Sequence, residues 1–465
     1  MIRTRHQQQT LWGGVWAQEV DDLWEPWMRQ ADQLLDDDEL VTKIFEAQGK
    51  RWKKSRTRGR LQTPAEVVLR LLVLKHVRDW SYQTLEREVR ANLVYRSFTR
   101  IGTERVPDAK TMGRLGQVVS GETVAELHRR VVELAVERRV VQGRKMRVDT
   151  TVVETNIHYP TDSSLLGDGA RVLTRLTRRI AEAVGGLKTQ VRDRMRSIKR
   201  KVVAIAIAAR QKGTAGEEKR KKIYRGLVSA VRKMRNQARR VQAEIKEMSA
   251  RKRRQVKKAS QELAGMTERV TQVIKQTHQR IFRGNTKSPD KVGSVFEPHT
   301  EIIRKGKASK PTEFGKMVKI QEAENQIVTD YEVFEEKPAD TALLKEAVDT
   351  HEEIFQRTPE LVAADAGFYT QAQEKKLEER GVKHVSIPNR STKSEARRKH
   401  QKQRWFKNGQ RWRTGCEGRI SVLKRRHGLN RCLYRGQEGM KRWVGWGVIA
   451  DNLMHIGGWI AAKSN

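Results

Sequence analysis

The stretch RVDTTVVETNIHYPTDSSLLGDG, residues 147–169, begins as a short apolar strand and turns polar after one acidic residue. Asp149 directly follows the letters KMRV, and a second aspartate, Asp365, directly follows LVAA. We therefore expect each at the carboxyl end of a short strand, the edge where ligands bind in open α/β sheets. Adjacent carboxylates repel unless cations lie between them, and Mg²⁺ is bound through a few carboxylates plus substrate phosphate. The pair predicts a metal site, although a single aspartate at a strand end more often caps a turn.

The charge of the chain is strongly one-sided. Its 465 residues include 96 Lys plus Arg against 56 Asp plus Glu, a formal net charge of +40. Such an excess predicts polyanionic partners, nucleic acid first and anionic membrane second. The long apolar stretch at 443–462 is interrupted by Asp451, Asn452 and His455, whereas a spanning helix needs about 20 mostly apolar residues. We therefore expect no membrane span, and the two cysteines, too few for a disulfide framework, favour a reducing cytoplasm.

The segment from Thr63 to about Val141 carries a helical pattern. Thr63 is expected to cap a helix that has Pro64 at its first position, and Asp108 to cap a later one. A basic helical domain of this kind either simply packs or carries a helix that lies in a DNA groove. Both interpretations stay open.

The next region is the most basic part of the chain. Residues 171–290 contain 35 basic and 9 acidic residues. Apolar residues recur at steps of three and four from Ile180 to Ile205 and again from Ile223 to Met248, on either side of GTAG at 213–216. This pattern predicts an antiparallel, coiled-coil-like helical hairpin. Its charge is either a solvated face or a DNA contact, and we favour DNA because a one-sided charge needs a counter-ion partner.

Strand patterns follow the basic region. SVFEPHTEIIRKGK, EFGKMVKIQE and NQIVTDYEVFEE read as strands, then ADTALLKEAVDTHEEIF as a helix, ELVAADAGFY as a strand ending at Asp365, and a further helix and strand. Together with the strand that contains Asp149, this alternation predicts an α/β fold with the basic helices inserted after its first strand.

A third acidic residue stands in the segment RTGCEGRISVLKRRHGLNRCLYRG, residues 413–436. Arg413, Glu417 and Lys424 are spaced by four and seven, which places them along related faces of one helix. A helix that turns its acid toward metal ions and its bases toward phosphates needs this layout. An ordinary exposed helix with ion pairs is the alternative.

In these three segments the sequence resembles the DDE transposases of bacterial insertion sequences, and within them the unclassified ISNCY group. The segments at 147–169, 362–369 (VAADAGFY) and 413–436 are similar to the family's three catalytic blocks, in the same order. The family's last block reads Y-(2)-R-(3)-E-(6)-K. Gln410 stands where the family has its tyrosine, and we expect Trp412 or Trp405 to replace that contact.

The resemblance implies a ribonuclease H-like catalytic domain in which Asp149, Asp365 and Glu417 hold two Mg²⁺ ions, with Mn²⁺ as a substitute. Two metal ions can activate the attacking oxygen and stabilise the leaving oxygen in phosphoryl transfer. It also implies that Arg413 and Lys424 contact DNA phosphates, for which Arg offers a bidentate fork and Lys a point charge. The implied division of the chain is a helical DNA-binding domain at 1–141, the first part of the catalytic domain at 142–170, the basic hairpin at 171–285, the rest of the catalytic domain at 286–435 and a terminal helix at 436–465.

Further DNA contacts are expected beside the third block. Trp405 and Trp412 stand among bases and either stack on extruded bases of DNA or are simply buried, and Arg425 and Arg426 extend the basic run. The polar residues that follow Asp149 either support the metal site or form a hydrogen-bonded loop, which we favour; they are Glu154, Asn156, His158, Asp162 and Asp168.

The preferred hypothesis is a transposase that acts as a dimer or higher assembly on paired ends of double-stranded DNA, in the cytoplasm and associated with the bacterial nucleoid. A ribonuclease H-like endonuclease or resolvase without strand transfer would use the same carboxylates. A non-catalytic architectural DNA-binding protein would need only the charge, and it would gain nothing from carboxylates that face the DNA.

Overall fold

The fold was described from a computed structural model of the chain. It divides into two compact units: one that we call the sheet unit, Met1–Asn156 with Gly315–Asn465, and one that we call the helical unit, Ile157–Phe314. The residues that the structure describes are 1–6, 18–52, 54–287, 291–304 and 311–464.

The sheet unit opens with helices. Within the described residues these are α1 Pro26–Leu35, α2 Asp38–Lys50, α3 Ala65–Val77, α4 Tyr82–Ala91, α5 Leu93–Phe98, α6 Ala109–Val118 and α7 Gly121–Glu137. Their apolar faces share one core, and every residue of α3 is buried in it. A helix buried on all sides is largely apolar, and α3 is so apart from Glu66, Arg70, Lys75 and His76, which are buried with it.

Two predicted helix starts can be compared with the structure. Asp108 caps α6 as predicted, because its side chain accepts a hydrogen bond from the amide of Thr111 at 2.9 Å. The predicted start at Thr63 and Pro64 is one residue too early, since α3 begins at Ala65 with Pro64 in the capping position. Pro64 has ψ of 151°, which is extended rather than helical.

The first strand, β1 Lys145–Thr155, leads into the helical unit. The elements of that unit are α8 Asp162–Val184, α9 Met195–Ala208, α10 Thr214–Glu247, α11 Ala250–Thr277 and a short strand, β2 Glu301–Arg304. The predicted two-helix hairpin is therefore wrong: its first seam is split where Gly185, at φ 76°, ends α8, and a further long helix follows α10. All four helices contribute to one apolar core.

The chain then returns to the sheet unit. Its remaining elements are β3 Thr312–Glu322, β4 Val328–Val333, α12 Asp340–Phe355, β5 Leu361–Ala363, α13 Gln371–Glu379, β6 His384–Ser386, α14 Glu395–Lys402, α15 Arg404–Arg426, β7 Arg431–Cys432 and α16 Gly436–Ser464. The strands predicted around β3, β4, β5 and β6 are present. Of the strand predicted at 294–307, only β2 is found among the described residues, and positions 305–307 lie outside them.

The sheet is mixed, with β1 near its centre. β3 pairs with β1 in antiparallel fashion and with β4 likewise, whereas β5 is parallel to β1 and β6 is parallel to β5. Among the described residues the strand order is β2-β3-β1-β5-β6; β4 also pairs with β3, and β7 adds a short parallel pair at the far end of β1. Helix α15 packs against β1, β5 and β6. The predicted α/β class is confirmed in this coarse sense, with helices first and the sheet after them.

The last helix belongs to the same core as the first ones. α16 packs against α1, α3 and α7, and it buries Trp443 and Trp446. The polar residues that interrupt its apolar sequence have partners inside the unit: Asp451 accepts a hydrogen bond from Arg419 at 2.9 Å, and Asn452 bonds to the backbone of Val328. Among the described helices, none is long and apolar enough to cross a membrane.

Candidate active site

Asp149 and Asp365 lie at the same level of two neighbouring parallel strands. β1 and β5 pair with Arg147 opposite Ala363, and each aspartate stands two residues beyond that pair. Asp365 follows the end of its strand as predicted, and its Oδ1 accepts a hydrogen bond from the Gly367 amide at 2.5 Å. The same prediction is wrong for Asp149, which lies inside the 11-residue strand β1. β1 continues past β5 because its other neighbour, β3, still pairs with it there.

The third acidic residue is linked to this edge of the sheet by an arginine. Arg413 and Glu417 are four residues apart on α15, and the Nη2 atom of Arg413 donates to Oε1 of Glu417 at 3.0 Å. The Nη1 atom of Arg413 lies 3.8 Å from Oδ2 of Asp149. The Arg413 side chain is largely buried, whereas the side chain of Glu417 is 56% exposed. Arg413 therefore stands between the two carboxylates.

The electrostatics of Asp149 reflect a crowded acidic site. Burial raises the pKa of Asp149 to about 6, against the hydrogen bond from the Thr150 amide. That value already includes the smaller effects of three neighbouring charges: Asp365 and Glu417 raise the pKa of Asp149, and Arg413 lowers it. Asp365 and Glu417 thus both lie within electrostatic reach of Asp149. A cation would relieve the repulsion that raises the pKa.

The donor set fits a divalent cation by its chemistry, because hard ions such as Mg²⁺ take carboxylate oxygens as ligands. In the part of the chain that the structure describes, no group of three or more His, Cys, Asp or Glu residues lies close enough together to hold an ion. The guanidinium of Arg413 instead links Asp149 with Glu417, and Asp365 acts on Asp149 through its charge. Asp149, Asp365 and Glu417 are the residues that would hold the metal.

Gln410 occupies the position of the family's tyrosine and makes contacts of its own. Its side-chain amide donates to the carbonyl oxygen of Ala364 at 3.3 Å, to the carbonyl oxygen of Ser386, and to the hydroxyl of Ser386 at 3.2 Å. It thereby ties α15 to the ends of β5 and β6, directly beside Asp365. Gln410 was missed as a site residue in the sequence, where it is visible only as a departure from the family block.

The two tryptophans of this region pack instead against neighbouring side chains. The ring of Trp405 stacks on that of His384, with centroids 4.5 Å apart. The ring of Trp412 lies against the guanidinium of Arg147, 4.8 Å from its centre. Both side chains are half-buried.

The predicted basic contacts lie toward the end of α15. Lys424 is half-buried and stands seven residues beyond Glu417, which places it on a related face of the helix. Arg425 and Arg426 are exposed in the last turn.

A buried charge network holds α15 against the sheet. Glu322 on β3 accepts hydrogen bonds from Arg147 on β1 at 2.7 and 3.1 Å, and the Nε atom of Arg419 on α15 lies 3.6 Å from it. Arg419 also donates to Asp451 on α16. Burial raises the pKa of the Glu322 carboxyl, and the two arginines oppose that shift. The network thus contains two positive and two negative side chains, all of them buried. One of them, Arg419, stands only two residues after Glu417 on α15.

A further acidic residue near the site was missed in the sequence. Asp340 opens α12, and its Oδ1 accepts a hydrogen bond from the Thr150 hydroxyl at 3.3 Å. A Cβ atom built on Gly367 would lie 3.0 Å from a carboxylate oxygen of Asp365 and 3.2 Å from one of Asp340. The two carboxylates are therefore close neighbours. The only sequence signal for Asp340 is its place at a helix start, where acidic residues are common for other reasons.

The polar residues that follow Asp149 do not form the single hydrogen-bonded loop that we favoured, because Glu154 lies on β1 and Asp162 and Asp168 lie on α8. His158 lies 3.3 Å from Asp168, which also accepts a hydrogen bond from Arg171 at 2.6 Å. Asp162 pairs with Arg280 at 3.4 Å. Of the remaining two, Glu154 lies 3.6 Å from Arg431 within the sheet unit, and Asn156 is exposed at the end of that segment.

Comparison with known protein families identifies the class. The family described as transposase DDE domain matches residues 297–453, which include Asp365, Arg413, Glu417 and Lys424. A second family, described as transposase domain (DUF772), matches residues 25–117 in the N-terminal helices. Together the two matches indicate a DDE transposase of the insertion-sequence type; the ISNCY assignment stays a prediction. No match was found among the curated proteins or among the solved structures.

Proposed function

We propose that the protein binds the ends of a mobile DNA element, cleaves them in a metal-dependent reaction, and joins the freed 3′-hydroxyl to target DNA. Asp149, Asp365 and Glu417 are the catalytic carboxylates of this proposal. The observation that carries it is the register of β1 and β5, which brings Asp149 and Asp365 level, with Glu417 coupled to Asp149 through Arg413.

Divalent metal ions held by Asp149, Asp365 and Glu417 would supply the electrostatic activation of the attacking and leaving oxygens that such transfers need. The chain's own part is to hold the carboxylates in place and to bind the substrate phosphate. Arg413 suits the second task, because its Nε and Nη1 atoms are buried and have no hydrogen-bond acceptor among the described residues. A phosphate oxygen would satisfy these donors, and Lys424 would add a second positive charge on the same helix.

We further infer a ribonuclease H-like architecture for the sheet unit. An antiparallel meander of three strands, followed by two parallel strands with the carboxylates on the adjacent β1 and β5, supports this assignment. The N-terminal helices and the basic helical unit would bind the DNA duplex, and two or more copies would assemble on the paired ends. A net charge of +40 favours such a polyanionic partner.

The test is cleavage and strand transfer on DNA that carries the ends of the element, with Mg²⁺ or Mn²⁺ and with Asp149→Asn, Asp365→Asn and Glu417→Gln. Glu378→Gln is the matched control, because Glu378 is an exposed acid on α13. We expect the three site variants to lose cleavage while their DNA affinity is unchanged or tighter, since a repulsive charge near phosphate has been removed.

The outcomes separate the possible functions. Cleavage followed by joining supports a transposase, and cleavage without joining would point to an endonuclease or resolvase. Tight binding with no cleavage under any metal would reject catalysis and leave an architectural role. If Asp149→Asn lost binding together with cleavage, the aspartate would be structural.

A further inference from the structure

A cleft beside the candidate active site is lined by positively charged side chains. It has a volume of about 670 Å³ and is formed by the loop after β6, by α14 and by α15. Five of its lining residues are basic and none is acidic; they are Arg390, Arg398, Lys407, Arg411 and Arg413. The cleft reaches Arg413, so it adjoins the carboxylates.

The four other bases have no internal counter-charge. Within the described part of the chain, none of Arg390, Arg398, Lys407 and Arg411 forms an ion pair or a side-chain hydrogen bond. All four are exposed at the cleft. Positive charges concentrated in a concave site focus the electrostatic potential and attract an anion.

The walls of the cleft are held in place by other contacts. The Nη1 atom of Arg397 on α14 donates to Glu374 on α13 at 2.6 Å, and its Nη2 atom donates to the carbonyl oxygen of Ile387 at 2.8 Å. The backbone amide of Asn389 donates to Gln401 at 2.6 Å, which fixes the loop against α14. These hydrogen bonds fix the backbone segments that carry the basic side chains of the cleft.

The size of the cleft decides which form of nucleic acid it can take. A volume of about 670 Å³ corresponds to a cube roughly 9 Å on a side, whereas a duplex is wider than its two grooves are deep, which is about 8.5 Å plus 7.5 Å. A duplex cannot enter such a space, whereas a single strand can. The one aromatic residue that lines the cleft, Phe406, is 2% exposed, so no ring is offered for stacking.

We propose that this cleft is a binding site for a single strand of nucleic acid, held through its phosphates and without regard to sequence, next to the carboxylates. The inference rests on the proposed function, because that function gives the strand its origin at the DNA end being processed. In this arrangement the protein prefers a DNA end that is already unpaired over a fully paired one.

The test compares a short blunt duplex with the same duplex carrying a single-stranded tail, both fluorescently labelled, in Ca²⁺ so that binding is measured without cleavage. The variant is Lys407→Gln with Arg411→Gln. The matched control is Lys399→Gln with Lys402→Gln, two exposed lysines of α14 that do not line the cleft. All four substitutions are at exposed positions, so folding is expected to be preserved.

The wild type should bind the tailed probe more tightly, and the cleft variant should lose that preference while it still binds the blunt duplex. For the tailed probe, the slope of the logarithm of the binding constant against the logarithm of salt concentration should become shallower by about 1.4. Each of the two lost contacts with a single strand changes this slope by about 0.7. The control should lower the salt dependence equally for both probes or not at all.

A wild type with no preference for the tail, or a cleft variant that keeps it, would overturn the inference. The proposed function is tested by a separate measurement, and it fails if the protein does not cleave DNA in Mg²⁺ or Mn²⁺. A tail preference that depends on Lys407 and Arg411 would stand even then.

Discussion

Replacement of Gly409 by alanine tests whether the close approach of α15 to the sheet determines the geometry of the candidate active site. A Cβ atom on Gly409 would lie 2.6 Å from the Cβ of Ser386 and 2.7 Å from its hydroxyl oxygen. Ser386 is fully buried on β6, and its hydroxyl donates to the carbonyl oxygen of Phe406, so it has little freedom to move away. The added methyl group must therefore push α15 away from the sheet.

The size of the effect follows from the contact distance. Carbon atoms rest about 3.5 to 4.0 Å apart, so α15 must retreat by about 1 Å at this point. Overpacking of this kind costs about 1–3 kcal/mol, whereas Gly→Ala in a helix gains up to about 1 kcal/mol. The clash wins, and the free energy of unfolding should fall by about 1 kcal/mol or more. A displacement of about 1 Å at Gln410 and Arg413 can lower the catalytic rate about 100-fold.

Gly418→Ala is the matched control on the same helix. A Cβ atom there would meet nothing within 4 Å, so this variant should be more stable by about 0.5–1 kcal/mol. Urea unfolding measures the stability of both variants, and the proposed DNA cleavage measures the site. If Gly409→Ala were as stable and as active as Gly418→Ala, the close packing of α15 on β6 would not set the geometry.

Three other variants have defined outcomes. Burial lowers the pKa of Lys75 to about 8, below the unfolded value of about 10.4. Between these two pH values only the unfolded state keeps the proton on Lys75, so the folded wild type becomes more stable as the pH rises. Urea unfolding of the wild type and of Lys75→Met should show the wild type gaining up to about 3 kcal/mol relative to the variant across this pH range. A difference that does not change with pH would contradict this prediction. On α10, burial and the like charges of Arg239 and Arg232 lower the pKa of Arg235. Neutralising all three to Gln should lower the salt slope of duplex binding by about 2.7, and an unchanged slope would assign this face to another partner. Finally, Gln410→Leu removes the side-chain donor to the carbonyl oxygens of Ala364 and Ser386, of which the second keeps the Ala364 amide at 3.4 Å. The change should cost about 1–3 kcal/mol of unfolding free energy, whereas a neutral result would show that water replaces the amide.

Sequence patterns predicted the local elements well where one strong period or one cap decided them. The strands around Asp365 and the cap at Asp108 are examples, because alternation of apolar residues and a side chain bonded to its own helix start depend on near neighbours alone. The position of Asp149 within its strand was wrong because the length of β1 depends on β3, which lies far along the chain. Local sequence carries no signal for that partner.

The candidate site was predicted only in part for a similar reason. The family blocks name Asp149, Asp365 and Glu417, but the bridge made by Arg413 needs the approach of α15 to the sheet. The contact of Gln410 with two strand ends depends on the same approach. From the sequence alone, Gln410 looks like the loss of the family's tyrosine. The packing shows that its side-chain amide is a hydrogen-bond donor to the ends of β5 and β6.

The helical unit is inserted where the chain can leave the sheet without disturbing it. Glu154 pairs with Gly315 across β1 and β3, so the chain departs after Asn156 and rejoins the sheet opposite its point of departure. A Cβ atom on Gly315 would lie 2.0 Å from the carbonyl oxygen of Val153, and only glycine allows this approach. Antiparallel neighbours can be joined by a short turn, and the cost of closing a longer connection grows slowly with its length. The insertion can therefore carry a large share of the positive charge while the pairing of β1, which sets the level of the carboxylates, is unaffected.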